Sequence, residues 1–373
     1  MKIGIITFHR AINYGAVLQA YALQRAFKDR NAFCRIIDYR SGAIEDYYKP
    51  FRVTGKSRKA RLVNTAYAAL AFRSRYEKKR KVRAFVSSYL ELSEPVTAQT
   101  VSKLNDSFDV FVTGSDQVFN PDITKEDAGA FFLDFVKEPN RRCSYAASFG
   151  KDVMPAKQEA FVRDALLPFC RISVRESASV PFVSTLTGKT AEAHVDPTLL
   201  LRGEDWGALT RRPKRVKTPY VFVYNMLTSA AIFEAAEKLR KETGLPVYFC
   251  NPKLPVLKRR FPAFTYMDSL SPQEFLWMIE HAEYAINSSF HGTAFSLLFH
   301  KNFLSVLPEG QPKNARVTSL LHGVGAEDRA VIGRADVSPL TDPSPVDWFA
   351  VDACLDAGRV DAYRYLDELT GEV

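Results

Sequence analysis

The sequence predicts an α/β protein made of two Rossmann-like domains, each a parallel sheet covered by helices on both faces, with a cleft between them. Three observations predict it. Short apolar runs alternate with amphipathic helical stretches along nearly the whole chain. The alternation breaks once, at a polar, basic and proline-punctuated stretch over 202–219, and then starts again. At 373 residues, the chain is also longer than one hydrophobic core usually grows. The expected organisation is an N-terminal domain over 1–202 with a basic helical insertion at about 43–92, a linker at 203–218, a C-terminal domain over 219–345 and a helical tail over 346–373 that packs back across the boundary.

Each element has its own signal. In the first half, buried-strand runs stand at 3–7, 33–38, 110–113, 143–147, 171–174 and 193–195, and helical periodicity at 14–28, 157–166 and 176–186. In the second half, strands are expected at 220–224, 247–250, 284–287 and 303–306, and helices at 230–243, 273–281 and 292–300. Ligands of open parallel sheets bind beyond the carboxyl ends of the strands. The residues just after each strand are therefore the ones to examine for chemistry.

Composition narrows the classes. With 46% hydrophobic and 25% charged residues, the chain reads as an ordinary soluble globular protein. The opening MKIGIITFHR lacks the order of a secretory signal and reads as a first strand, and no apolar run approaches the roughly 18 residues of a membrane span. A cytoplasmic protein is expected. Cys34, Cys143, Cys170, Cys250 and Cys354 form no CxxC pair and read as reduced core residues without thiol chemistry, and the six histidines show no metal-ligand spacing. No metal and no cofactor is expected.

The net charge of +9 is unevenly spread, for Lys56 to Arg83 holds eleven Lys and Arg residues against the single acid Glu77. Leu62, Val63, Tyr67, Leu70, Phe72 and Tyr76 interleave with them. The stretch reads either as a solvated helical insertion or as a basic amphipathic surface for anionic lipid, peripheral at the inner membrane face, or for a phosphorylated acceptor. Nucleic acid is not expected, since no nucleic-acid motif accompanies the charge.

Five clusters sit at the strand ends. Asn13, Tyr14, Gly15 and Ala16, with Gln19, follow the first strand, where glycine admits a close backbone approach and amides at a helix start favour anions. Thr113, Gly114, Ser115, Asp116 and Gln117 follow FDVFV, and Asp116 reads as a helix cap, a base or a ligand of sugar hydroxyls. Ala147, Ser148, Phe149 and Gly150 close SYAASFG. Arg175 leaves the strand at 171–174, suited either to clamp a carboxylate or phosphate or to pair with Glu176 or a neighbouring helix. Ser288, Ser289, His291 and Gly292 lie in NSSFHGT, where the histidine reads as a proton donor, a phosphate ligand or a cap of its own helix.

Taken together, NYGAVLQAYAL, VTGSDQVFNPD, SYAASFG, ISVRES, HVDPTLLL, NSSFHGTAFSLL and ARVTSLLHGVG resemble the polysaccharide pyruvyl transferase family in content and order. The resemblance implies a fold similar to glycosyltransferase type B and transfer of the pyruvyl group of phosphoenolpyruvate onto two hydroxyls of a sugar, giving a cyclic ketal and phosphate. It places Arg175 and His291 at the family's basic positions for phosphoenolpyruvate and matches Asn13 and Gly15 to its first loop. Ala16 departs from the acidic residue that many members carry there.

Such a reaction needs a proton delivered to C3, a base near the sugar hydroxyl and cations on the donor's anionic groups. The expected roles are Arg175 as donor clamp, His291 as phosphate ligand or general acid, and Asp116 as the group that positions or deprotonates the acceptor. Partners would be phosphoenolpyruvate and a sugar acceptor, free or carried on a polyprenyl diphosphate. A nucleotide-sugar-dependent glycosyltransferase of the same fold and a non-catalytic carbohydrate-binding protein are the alternatives.

Overall fold

Short, mostly apolar runs form the sheets. In the computed structural model, which describes residues 1–53, 57–151, 154–227, 229–250, 259–342 and 346–371, the first sheet contains β1 (Lys2–Ile6), β2 (Phe33–Tyr39), β3 (Leu92–Val96), β4 (Val110–Thr113) and β5 (Arg142–Ser144). Its order is β3-β2-β1-β4-β5, and all its pairings are parallel. A two-stranded parallel sheet, β6 (Ile172–Val174) with β7 (Ala191–Ala193), continues it through isolated bridges from Cys143 to Arg171 and from Ala147 to Val174.

The second sheet contains β8 (Val221–Tyr224), β9 (Val247–Cys250), β10 (Thr265–Met267), β11 (Tyr284–Asn287), β12 (Phe303–Leu307) and β13 (Ala330–Ile332). Its order is β10-β9-β8-β11-β12-β13, again wholly parallel. Both sheets follow the Rossmann plan, in which the chain winds outward from a central strand and then reverses. The reversal falls between β1 and β4 in one sheet and between β8 and β11 in the other.

By its contacts the chain forms two compact units, Met1–Leu200 with Gly358–Val373, and Leu201–Ala357. The core of the first includes Phe111, Phe119, Phe131 and Phe132, and that of the second includes Ile232, Phe233, Phe249 and Ile286. The stretch over 203–218, expected as a linker, belongs to the second unit. It carries a helix at Gly203–Gly207 whose Trp206 is fully buried edge-on to Phe295, with centroids 5.1 Å apart. The final helix, Trp348–Thr370, is divided between the units, and its later part is tied into the first: Arg359 Nε donates to Leu199 O at 2.8 Å and Tyr365 Oη to Ser144 O at 2.9 Å.

Three strands escaped the sequence reading: β3, β10 and β13. Each lies at a sheet edge, where only one neighbour hides it, so its residues are partly exposed and the apolar pattern fades. Pro95 weakens the signal of β3 further. The run 143–147 is strand only to Ser144, because Ala146 turns to φ 46°. The helix expected from residue 176 runs instead over Ser179–Thr187, so Arg175 and Glu176 lie in a turn ahead of it.

The insertion forms α2 (Gly42–Tyr47) and the long α3 (Arg58–Tyr89), which follow α1 (Tyr14–Lys28) in the chain. Val82, Phe85 and Val86 bury one side of α3, and Lys78 places its ammonium 4.2 Å from the centre of the Tyr14 ring. Towards its N-terminus, Leu62, Val63, Leu70, Phe72 and Tyr76 remain exposed among arginines. Lys56, which begins the expected basic stretch, lies outside the described residues. No described helix is long and apolar enough to cross a membrane.

The cysteines are not all core. Cys34, Cys143 and Cys250 are buried, whereas Cys170 and Cys354 are exposed. Cys170 sits beside β5 with its sulfur 3.3 Å from that of Cys143. The Cys143 hydrogen bond lowers the Cys170 thiol to about 7 against the opposing effect of burial, so its thiolate predominates above neutral pH. Iodoacetamide labelling followed by mass spectrometry should therefore show Cys170 alkylation rising with pH through a midpoint near 7, and Cys143→Ala should move that midpoint upward. A midpoint unaffected by the substitution would contradict the pairing.

Candidate active site at the strand carboxyl ends

The first reversal point gathers the loops after β1 and β4. Asn13 caps α1, its Oδ1 accepting from the Gly15 amide at 3.0 Å. Gly114 follows β4 in tight quarters: a Cβ there would lie 3.2 Å from both Leu23 Cδ2 and Thr7 Cβ. Thr7 Oγ1 donates to Ser115 O at 2.9 Å and receives Gln19 Nε2 at 2.7 Å, which fastens the two loops together.

Asp116 stands at φ 77° and ψ −179°, a conformation that costs a non-glycine residue about 1–3 kcal/mol and that concentrates at functional sites. Its carboxylate accepts from the Gln117 amide at 2.8 Å, and its carbonyl accepts from the Ser148 amide at 3.0 Å. The capping role weighed from the sequence is thus present, on a strained backbone. Tyr48 lies nearby. Burial pushes its phenol above the ordinary value, the Asp116 charge pushes it further, and a hydrogen bond with Asn13 opposes the rise.

Arg175 is the hub of this unit. Its side chain is only 3% exposed. Nη1 donates to Asp196 Oδ2 at 2.9 Å and Nε to Glu176 Oε1 at 3.0 Å. Asp196, fully buried, also accepts from Ser115 Oγ at 3.1 Å, from Thr198 Oγ1 at 2.8 Å and from the Thr198 amide at 3.0 Å. Glu176 accepts in turn from Ser148 Oγ at 2.9 Å, and the same hydroxyl receives the Gly150 amide at 3.0 Å. Burial disfavours the guanidinium charge, but Glu176 and Asp196, with Asp116 adding to their field, outweigh it and hold the pKa of Arg175 above the usual arginine value.

Ser115 and Ser148 are thereby joined to Arg175 through one carboxylate each. Neither Asp196 nor Glu176 was singled out as a site residue in the sequence. Asp196 stands before Pro197, where an aspartate reads as a turn former, and its oxygen does cap the short turn Pro197–Leu199.

The second reversal point lies in the other unit. Ser288 Oγ accepts from the amides of Met226 and Leu227 at 2.9 and 3.0 Å, binding the loop after β8 to the loop after β11. The helix Phe290–Leu298 is capped by Ser289, whose Oγ accepts from the Gly292 amide at 2.9 Å. His291 therefore does not cap its helix. It occupies the first turn, half-buried, with its ring edge-on to Phe290 at 5.4 Å. Gly292 is required by close approach, since a Cβ would meet Asn287 Cβ at 2.9 Å. Asn287 Oδ1 accepts from Thr293 Oγ1 at 3.0 Å and anchors the turn from below.

Asn13, Gly15, Gly114, Ser115, Asp116, Ser148 and Arg175 thus belong to the first unit, and Ser288, Ser289, His291 and Gly292 to the second. Among the described residues, no group of three or more His, Cys, Asp or Glu side chains is placed to hold a metal ion.

Two parallel Rossmann-like sheets, each carrying its polar cluster at the reversal point, define an α/β protein of the glycosyltransferase type B fold. Solved structures with that fold cover the chain almost completely. They include a UDP-GlcNAc 2-epimerase from Neisseria meningitidis bound to UDP-GlcNAc (6% identity, TM-score 0.54, covering 100% of both chains), UGT2 of Phytolacca americana complexed with UDP-2fluoro-glucose and pterostilbene (10%, 0.53, 100% of this chain and 99% of that one) and S. aureus MnaA with UDP (10%, 0.51, 98% and 97%). At these identities the likeness concerns the fold alone. No curated protein sequence matches the chain. The profile of the family described as polysaccharide pyruvyl transferase matches residues 13–309, from the first loop through the turn that holds His291, and the chain belongs to that family.

Removing the negative charge of Asp196 should expose how far the first cluster depends on it. In Asp196→Asn the Arg175 guanidinium keeps its burial and loses its deepest partner, which should cost about 3–5 kcal/mol in denaturant-induced unfolding. A loss below about 1 kcal/mol would mean that Glu176 alone compensates Arg175.

Proposed function

We propose that this transferase moves the pyruvyl group of phosphoenolpyruvate onto two hydroxyls of a sugar, forming a cyclic ketal in cell-surface or extracellular polysaccharide biosynthesis. The observation that supports it is the fixed, buried guanidinium of Arg175 at a strand carboxyl end, within a family match that spans both units. Of its two carboxylate partners, Asp196 is 0% exposed and Glu176 19%. The donor's carboxylate or phosphate takes the place of Glu176, while Asp196 stays and keeps the guanidinium aimed.

Chemistry then proceeds by addition of one sugar hydroxyl to C2 of phosphoenolpyruvate as C3 receives a proton, followed by attack of the second hydroxyl on C2 and departure of phosphate. Asp116 positions or deprotonates the acceptor, and Asn13, Gly15 and the loops of Gly114 and Ser115 and of Ser148 shape its binding. His291, with the amides of its helix turn, binds the phosphate or protonates C3. No cofactor enters the balance, because the donor already carries the activated carbon. Nucleotide sugars bound in solved structures with this fold make a nucleotide-sugar-dependent transferase the rival reading.

Phosphate release from phosphoenolpyruvate, measured with a panel of free and lipid-linked sugars, tests the assignment. Arg175→Ala and His291→Ala should each lower kcat/KM by about a hundredfold or more in folded protein. Their combination should fall short of the product of the two effects if both act on one donor. Full turnover in either variant would refute its role, and sugar-nucleotide consumption without phosphoenolpyruvate would favour the rival.

The basic helix suggests where an acceptor is met. Arg61, Arg73 and Arg75 are exposed on α3 beside Leu62, Leu70, Phe72 and Tyr76, a pattern suited to the anionic face of a membrane. Flotation with anionic vesicles should show binding at low salt that is lost when these arginines are neutralised. No binding, or binding indifferent to the substitutions, would remove the membrane from the account.

A further inference from the structure

A second charged constellation lies at the same end of the first sheet and takes no part in the network around Arg175. His9 and Arg10 follow β1, Asp38 lies near the end of β2 with Arg40 just beyond it, Glu45 is on α2, and Lys79 and Arg83 are on α3. Arg10 Nη1 donates to Asp38 Oδ1 at 3.2 Å, and Arg40 Nη2 to Asp38 Oδ2 at 2.7 Å. Arg10 Nε donates to Glu45, whose other oxygen lies 4.0 Å from Arg83 Nη2. His9 Nε2 is 3.2 Å from Asp38, and Lys49 pairs with Asp46 at 2.6 Å.

The charges do not cancel. Among the described residues, Arg10, Arg40, Lys79 and Arg83 face Asp38 and Glu45, four positive against two negative, and Lys49 with Asp46 leaves the net charge unchanged. Among the described residues Lys79 forms no ion pair. Burial lowers the pKa of Lys79 and of Arg83, and neighbouring cations lower them further, Arg83 and Arg10 acting on Lys79 and Arg10 and Arg40 on Arg83, against the opposing charges of Glu45 on both and of Asp38 on Arg83. Like charges assembled by folding repel one another unless an anion joins them. The group is also open to one, with Arg40 and Arg83 side chains 40% and 49% exposed.

The same helix face adds an apolar half. Phe72, Tyr76, Lys79 and Arg83 recur at spacings of four, three and four and therefore lie in one row on α3. Phe72 and Tyr76 are 45% and 55% exposed and stacked, with ring centres 6.1 Å apart. The row runs about 10 Å along the helix from Phe72 to Lys79. It thus joins a doubly positive cluster, with Arg10 held in orientation by Asp38 and Glu45, to an exposed aromatic pair.

We propose that Arg10, Arg40, Lys79 and Arg83 hold the diphosphate of a prenyl-diphosphate-linked acceptor, with its first isoprene units on Phe72 and Tyr76. Two excess positive charges match the two negative charges of a diphosphate diester, and guanidinium forks suit phosphate oxygens. The assignment rests on the lipid-linked form of the reading above, and it gives that acceptor a seat separate from the loops that bind the sugar.

Titration calorimetry at low salt, with inorganic pyrophosphate, farnesyl diphosphate and a soluble short-chain phosphatidylglycerol as probes, tests it. The whole chain should bind pyrophosphate, bind farnesyl diphosphate about tenfold or more tightly by comparison, and bind the phosphatidylglycerol far more weakly than either. Lys79→Gln with Arg83→Gln should weaken both diphosphates about tenfold or more, whereas Phe72→Ala should weaken farnesyl diphosphate alone. Absence of diphosphate binding, binding unaffected at Lys79 and Arg83, or equal affinity for phosphatidylglycerol would overturn the site. Transfer from phosphoenolpyruvate to any sugar of the free and lipid-linked panel by the unaltered chain separates the two claims. Transfer without diphosphate binding sinks this site alone, and diphosphate binding without any pyruvyl transfer sinks the catalytic reading alone.

Discussion

A single buried carboxylate organises the first unit. Asp196 is enclosed completely and would be costly to ionise there, yet Arg175, Ser115 and Thr198 satisfy its oxygens from three different segments. The ion pair fixes the guanidinium, Glu176 carries the same restraint to Ser148, and the strained turn at Asp116 is bonded to Ser148 in its turn. Charge and hydrogen bonding together determine where the polar groups at the carboxyl ends of β4, β5 and β6 point.

The sheets supply the frame for that network. Winding outward from β1 and β8 and then reversing leaves a gap between diverging loops at each reversal, and a gap of that kind cannot be closed by apolar packing. In both units it is closed by hydroxyls and amides: Thr7 with Ser115 and Gln19 in the first, Ser288 with Met226 and Leu227 in the second. Glycines at 114 and 292 allow the backbones to come close enough for those bonds, because a methyl group at either position would press on a neighbouring residue. Loops fastened in this way present preorganised donors to a ligand at little further entropic cost.

Much of this was legible beforehand, and the parts that were not share a physical cause. The strands Val110–Thr113, Val247–Cys250 and Tyr284–Asn287 matched their expected limits because burial on both faces gives an unbroken apolar pattern, and the helices Tyr14–Lys28 and Ala230–Thr243 because their apolar residues recur at helical spacing behind Asn13 and Ser229 caps. Edge strands such as Ala330–Ile332 lack that pattern. The candidate residues themselves stood at predictable places, directly after strands. What a linear reading could not supply was pairing at long range: Asp196 lies 81 residues from Ser115 and 21 from Arg175, and nothing in HVDPTLLL signals either partner. For the same reason the arginine weighed against Glu176 or a neighbouring helix turned out to hold two carboxylates, and the histidine weighed as a cap left that duty to Ser289.

The most direct measurement follows the donor carbon. Phosphoenolpyruvate labelled with carbon-13 at C2, incubated with the protein and a sugar carrying two suitably spaced hydroxyls, should give a product whose labelled carbon has the resonance of a quaternary ketal bonded to two sugar oxygens, together with one phosphate for each sugar converted. A labelled carbon that remains an enol ether, or that appears only as free pyruvate beside an unmodified sugar, would contradict ketal transfer.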